Sequence, residues 1–397
     1  MTNKRLWPSL EYEDLVWEST AAAYGVDAEF SLPGQRYKAA IPPLIARQEI
    51  TLRDDTVRYA DQASMELIRF DQELGSMISN LAPMLLRSES ASSSQIENLS
   101  ASARAIFSAE LGVTKSRNAE MIASNTKAME AAISLAEDVS SNSILKMHSV
   151  LMASQAINQA GQWREEAVWI GTSNRSPKGA YYVAPHYARI PELIEDLVDF
   201  LKRKDIPALA QVALAHAQFE TIHPFTDGNG RTGRALAQST LRHRGVTRHV
   251  AMPVSAGLLA DIDGYHQALK SYRLGQPDDI VQAFSAASLR AIANTRQLVD
   301  EILEIRESWN QKFSARKSSN AWAILDLLMN RPVVTAAAAA EALGVKAPNI
   351  YPPLRALAEA GILQSKNEHK LGPFWRSDEI LHAIDRFAQR AGRRSKS

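Results

Sequence analysis

Residues 223–234 read His-Pro-Phe-Thr-Asp-Gly-Asn-Gly-Arg-Thr-Gly-Arg, gathering an imidazole, a carboxylate, three glycines and two guanidinium groups into one short run. The flanks are ordinary helix formers. Pro207 to Phe219 is dominated by alanine and leucine behind a first-turn proline, which suits a buried helix. Ala235 to Gly245 is a second helix, with Arg242, His243 and Arg244 in its last turn and Gly245 placed to end it. The run therefore connects two helices, and its second half opens the second helix.

The chemistry of that join is specific. Gly228-Asn229-Gly230 lets the backbone approach a ligand closely. Its amides then face outward at a helix start, where unpaired N–H groups and the helix dipole favour an anion such as phosphate. Arg231 and Arg234 are three apart, so they share a helix face and can grip further phosphate oxygens. One anion hardly needs both; a polyphosphate does. The Asp227 carboxylate suits a Mg²⁺ ion bridging the phosphates. His223 can take a proton from an attacking hydroxyl, and Phe225 is expected to turn into the core. A histidine before proline, or a glycine-rich helix start, is alone commonly structural. Two arginines at a helix start, however, repel each other and the dipole unless an anion lies between them.

Composition bounds the rest. A chain of 397 residues, 45% of them hydrophobic, can bury a substantial core in two or three domains. No apolar run approaches bilayer-spanning length and the N-terminus lacks the apolar block of a signal peptide, so a cytoplasmic protein without a membrane partner is expected. With no cysteine, disulfides, thiolate zinc sites and a cysteine nucleophile are excluded. The net charge of +1 argues against a whole-surface polyanion field.

The pattern is helical nearly throughout. Helices are expected within 110–135 and 143–153, and at 191–201, where Leu193, Ile194, Leu197, Val198 and Leu201 share a face. Residues 37–52 read as a connecting loop, and residues 63–90 as an amphipathic helix. Two β-prone runs, Val168 to Ile170 and Ala180 to Val183, flank the turn-rich Gly171 to Gly179 as a hairpin. After a polar connection near Ser314, helices at 321–329, 335–343 and 351–360 and a β-wing over 361–377 follow the order of a winged helix-turn-helix. The expected division is an N-terminal helical region at 1–125, a core at 126–310 and a small domain at 315–397.

Residues 223–234 match the Fic family motif, His-x-Phe-x-(Asp/Glu)-Gly-Asn-Gly-Arg-x-x-Arg, at every fixed position. The chain resembles that family over most of residues 30–300, including Tyr37 to Ala46 and Met252 to Arg273. The resemblance implies a mainly α fold, a Fic helical core with a β-hairpin flap, followed by the winged helix-turn-helix found in many relatives. It implies transfer of AMP from ATP to a Ser, Thr or Tyr hydroxyl of a target protein, with release of diphosphate. His223 is then the base, and Asp227 holds Mg²⁺. Gly228 to Gly230 form the anion cradle, Asn229 and Arg231 meet the α- and β-phosphates, and Arg234 meets the γ-phosphate. Thr232 and Gly233 complete the ATP-binding stretch, and Tyr265 falls where relatives contact the base. Ala180, Tyr181, Tyr182 and Val183 form the flap that holds the target by strand-like pairing. Tyr181 and Tyr182 are candidates for self-modification, and a homodimer is the expected assembly.

Ser93, Glu97 and Asn98 fit (Ser/Thr)-x-x-x-Glu-(Gly/Asn), which in this family marks an inhibitory helix, here on the N-terminal side of the core. The same residues support a plainer reading, because Ser94-Gln-Ile-Glu97 is also a capping box at a helix start. The wider serine-rich run, residues 88–112, reads either as a linker or as a helix start. As a brake, Glu97 would pair with Arg234, remove the cation from the γ-phosphate and misalign the α-phosphate. A glutamate beside the site also implies removal of AMP by a positioned water, with His223 as acid.

Two other readings stay open. The same cradle can present another nucleotide or a phosphate-containing group, although the intact Gly-Asn-Gly-Arg-x-x-Arg speaks against a phosphorylating relative. Alternatively the chain regulates transcription through its C-terminal segment, where Arg386, Arg390, Arg393, Arg394 and Lys396 cluster. Pro348, Pro352 and Pro353 reshape the start of the supposed recognition helix, and only Lys346 and Asn349 are suited to base contact there, which disfavours specific DNA binding. His216 is expected to be a packed or surface histidine, and Trp163, Trp169 and Trp322 core or interface anchors. The alanines at 336–340 suit close helix packing.

Overall fold

A computed structural model describes residues 7–17, 34, 36–77, 81–112, 116–155, 159–171, 176–368 and 372–392. In chain order the elements begin with strands β1 (Glu11–Val16) and β2 (Arg36–Ile41) and helices α1 (Asp54–Met77), α2 (Ala82–Ile96), α3 (Ala103–Glu110), α4 (Arg117–Ser134) and α5 (Ser141–Met152). Strands β3 (Trp169–Ile170) and β4 (Tyr182–Val183) precede α6 (Ile190–Leu201), α7 (Ala208–Ile222), α8 (Asn229–His243), α9 (Val254–Leu259), α10 (Ile262–Arg273) and α11 (Asp278–Lys312). The remainder is α12 (Asn320–Asn330), β5 (Val333–Thr335), α13 (Ala336–Leu343), α14 (Tyr351–Glu359), β6 (Gln364–Glu368), β7 (Gly372–Arg376) and α15 (Asp378–Arg390). The fold is mainly α, as expected. Among the described residues no helix is long and apolar enough to cross a membrane.

The chain forms two compact units, one from residues 1–62, 131–243 and 263–284, the other from 63–130, 244–262 and 285–397. In the first, α7 is buried from Leu209 through Ile222, and it packs against α6 and α8. Its alanines bring both neighbours close. The hairpin expected at 168–183 is present, with Trp169 opposite Val183 and Ile170 opposite Tyr182; residues 172–175 of its turn lie outside the described residues. Residues 37–41, read as part of a loop, instead belong to β2, which pairs antiparallel with β1. Its partner lies twenty or more residues away, so local composition does not reveal the pairing. Strand β2 packs on β4 through Ala40, Tyr182 and Ala184, covered by Leu10.

In the second unit the serine-rich run holds the end of α2, a short connection and the start of α3, where Ser102 Oγ accepts the Ala105 N–H. Ser88, Ser90, Ser92, Ser93 and Ser94 are buried in α2. Ser90 Oγ donates to the Ile122 carbonyl, and Asn125 Nδ2 donates to the Ser90 carbonyl and to Ser94 Oγ, so small hydroxyl side chains let α2 lie close to α4 and bond across the contact. The buried carboxylate of Glu89 accepts the Ser255 N–H at 2.8 Å and the Ser255 hydroxyl at 2.6 Å, fastening α2 to the first turn of α9.

The capping box at Ser94 is not formed, because that residue sits in the last turn of α2. Leu99 N–H reaches back to the Ser94 carbonyl and Asn98 N–H to the Gln95 carbonyl, while Asn98 takes φ 60°. That is a Schellman closure with asparagine in the left-handed position, which explains the Gly-or-Asn choice after the glutamate. Glu97 is the C-cap residue.

The C-terminal segment of this unit contains a three-stranded sheet of order β5-β7-β6 with α12, α13 and α14 at hand. Strand β5, three residues long, was not expected; it exists only through its pairing with β7. Thr335 Oγ1 caps α13, whose Ala336, Ala339 and Ala340 are buried. Arg386 and Arg390 form ion pairs with Glu301, while Arg393, Arg394 and Lys396 lie outside the described residues, as do 369–371 of the wing. Helices α12 and α15 both contact α2, and Asp385 accepts the Ala103 N–H at the start of α3.

Candidate active site

Helix α7 ends at Ile222, and His223 then turns left-handed with φ 51° and ψ 60°, its N–H still bonded to the Phe219 carbonyl. A non-glycine residue there is uncommon and needs support from its surroundings. The chain folds back over 224–228 and α8 starts at Asn229, with Thr232 N–H bonded to the Gly228 carbonyl. Gly228 has φ 78°, a conformation that favours glycine, and a Cβ on it would crowd Leu151 Cδ2 at 3.1 Å and Met152 Sδ at 3.2 Å. The Asn229 side chain closes the loop, accepting the Phe225 N–H at 2.9 Å and donating to the Phe225 carbonyl at 2.8 Å. Phe225 is buried, as expected, and stacks on His148 with ring centroids 3.6 Å apart, with Trp163 at 5.1 Å.

The charged groups gather at the start of α8. Asp227 is exposed; its Oδ1 accepts the Gly228 N–H and lies 3.2 Å from Arg231 Nη2. Arg231 is only 2% exposed, and its Nε and Nη1 have no hydrogen-bond partner among the described residues. Buried guanidinium N–H groups left unpaired are costly, so this cation is built for an anion. Arg234, one turn on, is also buried. Thr232 is buried, and Gly233 faces α7, where a Cβ would come within 2.9 Å of Phe219 Cδ1 and 3.3 Å of His216 Nδ1. Tyr265 is buried with its hydroxyl 2.7 Å from His216 Nε2, and His216 is thereby a packed histidine. Among the described residues no cluster of three or more histidines and carboxylates could hold a metal.

Two residues unmarked in the sequence shape the loop. His148 of α5 accepts the Gly161 N–H at Nδ1, which leaves the proton on Nε2 to be donated to the Asp227 carbonyl at 3.1 Å. Burial pushes its pKa down to about 4, so the ring is neutral. Arg164 is 1% exposed and donates to three backbone carbonyls, those of His223, Glu166 and Pro185. Burial lowers its pKa to about 10, which keeps it charged. Neither could be picked out from sequence, since their partners are main-chain atoms far along the chain.

The hairpin extends past its strands, with Tyr181 N–H bonded to the Ile170 carbonyl and Ala184 N–H to that of Val168. Trp169 meets Trp17 edge-on at 5.4 Å. The two tyrosines differ. Tyr181 is 80% exposed, whereas Tyr182 is buried, its hydroxyl donating to the Thr221 carbonyl and the Arg273 guanidinium 3.7 Å above its ring. Burial pushes the Tyr182 pKa up to about 12, and this corrects its place among the self-modification candidates.

Residues 138–241 match the Fic/DOC family. The likeness to that family lies in this segment. It holds α5 to α8, the hairpin, His148, Arg164 and the whole 223–234 motif; Tyr265 and Ser93 to Asn98 fall outside it. A protein adenylyltransferase of Caenorhabditis elegans is 31% identical over 112 residues, 28% of this chain and 20% of that protein. A probable protein adenylyltransferase of Aquifex aeolicus (strain VF5) is 39% identical over 69 residues, 17% of this chain and 22% of that protein. The chain thus spans about a fifth of the length of these relatives. A Fic family protein from Desulfovibrio desulfuricans G20 shares the fold, with a TM-score of 0.52 and 20% identity over 83% of this chain and 97% of that one.

Proposed function

We propose that this protein is an adenylyltransferase that moves AMP from ATP to a hydroxyl of a target protein. The observation that carries the reading is the buried Arg231 guanidinium, with two nitrogens lacking partners among the described residues, at the start of a helix preceded by a glycine turn. The names of the relatives supply the nucleotide. In this reading Arg231, Arg234 and the first-turn N–H groups of α8, including that of Asn229, bind the triphosphate. His223 takes the proton of the Ser, Thr or Tyr hydroxyl as that oxygen bonds to the α-phosphorus. The bond from that phosphorus to its bridging oxygen breaks, and diphosphate leaves with the electron pair.

A Mg²⁺ ion, when bound, would neutralise phosphate charge; the exposed Asp227 carboxylate fits an ion that takes one or two carboxylates and completes its shell with substrate oxygens and water. The flap of Ala180 to Val183 presents the target, Tyr265 contacts the base of the nucleotide, and Glu97 restrains the enzyme by pairing with Arg234. Support for the restraint is the fit of Ser93, Glu97 and Asn98 to the inhibitory motif and the place of Glu97 at a helix end. The same glutamate would serve removal of AMP by holding a water.

Incubation with ATP labelled at the α-phosphate tests both parts. Self-labelling is expected to rise in Glu97→Gly and to vanish in His223→Ala in either background. Equal labelling of wild type and Glu97→Gly sinks the restraint, and labelling that survives His223→Ala removes the base.

A further inference from the structure

We infer that Arg164 is a positioning residue that locks the base-bearing turn to both strands of the flap, holding the imidazole and the target segment in one frame. The inference rests on the adenylyl-transfer reading for its kinetic consequence, though not for its geometry.

Three chain segments converge on one guanidinium. Nε donates to the His223 carbonyl at 2.8 Å, Nη1 to the Glu166 carbonyl at 2.8 Å and Nη2 to the Pro185 carbonyl at 2.7 Å. Glu166 leads into β3 and Pro185 follows β4, so two of the three acceptors are the feet of the flap. The third belongs to the residue proposed as base. The Arg164 N–H also donates to the Pro224 carbonyl at 3.0 Å, so residue 164 grips the turn at two successive carbonyls.

The left-handed backbone of His223 is the kind of conformation that persists only when its neighbours over-determine it. Here its N–H is fixed by Phe219 and its carbonyl by Arg164. A second tie runs the same way, from the Tyr182 hydroxyl in β4 to the Thr221 carbonyl at the end of α7. A hydrophobic side chain of similar volume would fill the space at residue 164 and leave three carbonyls without their donor, that of Pro185 in a buried site. Lysine would keep the charge but not the planar fork that reaches three carbonyls at once. The arrangement therefore uses shape as well as charge.

Arg164→Lys in the full chain tests this. ATP affinity, measured by calorimetry, is expected to stay within about threefold of wild type while kcat for transfer falls on the order of 100-fold, the loss that small misplacement of a reacting group brings. Transfer within about threefold of wild type would overturn the inference. Amide hydrogen exchange reads the geometry without activity: the Tyr181, Ala184 and His223 amides are expected to exchange together at least about tenfold faster, with α6 unchanged. Faster exchange at Tyr181 and Ala184 with His223 unaltered would also overturn it. If Arg164→Lys does not fold, Arg164→Gln, which lacks the charge and the three-way fork, takes its place with the same expectations. Should the exchange pattern appear in a protein that transfers no AMP even as Glu97→Gly, the clamp stands and the adenylyl-transfer reading fails.

Discussion

Because Gly161 donates to Nδ1 of His148, the ring has one proton to give, and it goes to the Asp227 carbonyl. A second proton would have to displace the Gly161 N–H in a buried site. With the folded pKa near 4 and the unfolded value at 6.5, the neutral ring's contribution is intact above pH 6.5 and is lost as pH falls towards 4. The loss should approach on the order of 3 kcal/mol. Urea unfolding at pH 7 and pH 4.5 checks this: His148→Gln is expected to lose less stability than wild type between the two. The motif residues were legible because each fixed position is itself a chemical group suited to phosphate or proton transfer. His148 and Arg164 were not, since each serves backbone carbonyls and leaves no side-chain pattern. The Asn229 amide likewise holds Phe225, a loop function invisible in a linear motif.

At the scale of elements, the long helices of residues 138–241 followed from spacing and proline placement, and α6 and α7 lie close to where those signals put them. The serine-rich helix did not, because serine and glutamate mark a helix start and here they close a helix end. Asn98 decides between the two. Asn98→Gly should retain wild-type stability, whereas Asn98→Val should cost about 1–2 kcal/mol, since a β-branched residue resists the left-handed region. Thermal unfolding of the two variants measures the difference. Strands β1, β2 and β5 were illegible for another reason: each is short and defined by a distant partner.

At the scale of the molecule, each compact unit draws on three separated stretches of chain, and closure over such distances leaves no mark in local composition. The C-terminal segment has its expected helices and hairpin, yet Pro352 and Pro353 occupy the first turn of α14, and Arg386 and Arg390 are engaged with Glu301. With a net charge of +1, the full chain is expected to retain duplex DNA only at low salt and without preference for sequence. Gel shifts with unrelated competitor DNA test this, and selective retention of one sequence would contradict it. Glu89 adds a mechanical consequence. It fastens α2 to Ser255 eight residues, about 12 Å of helix rise, before Glu97. With Ser94 also held by Asn125, the rod is pinned at two heights and can neither slide nor swivel freely, so any excursion of its carboxylate-bearing tip must come from the single turn beyond Ser94.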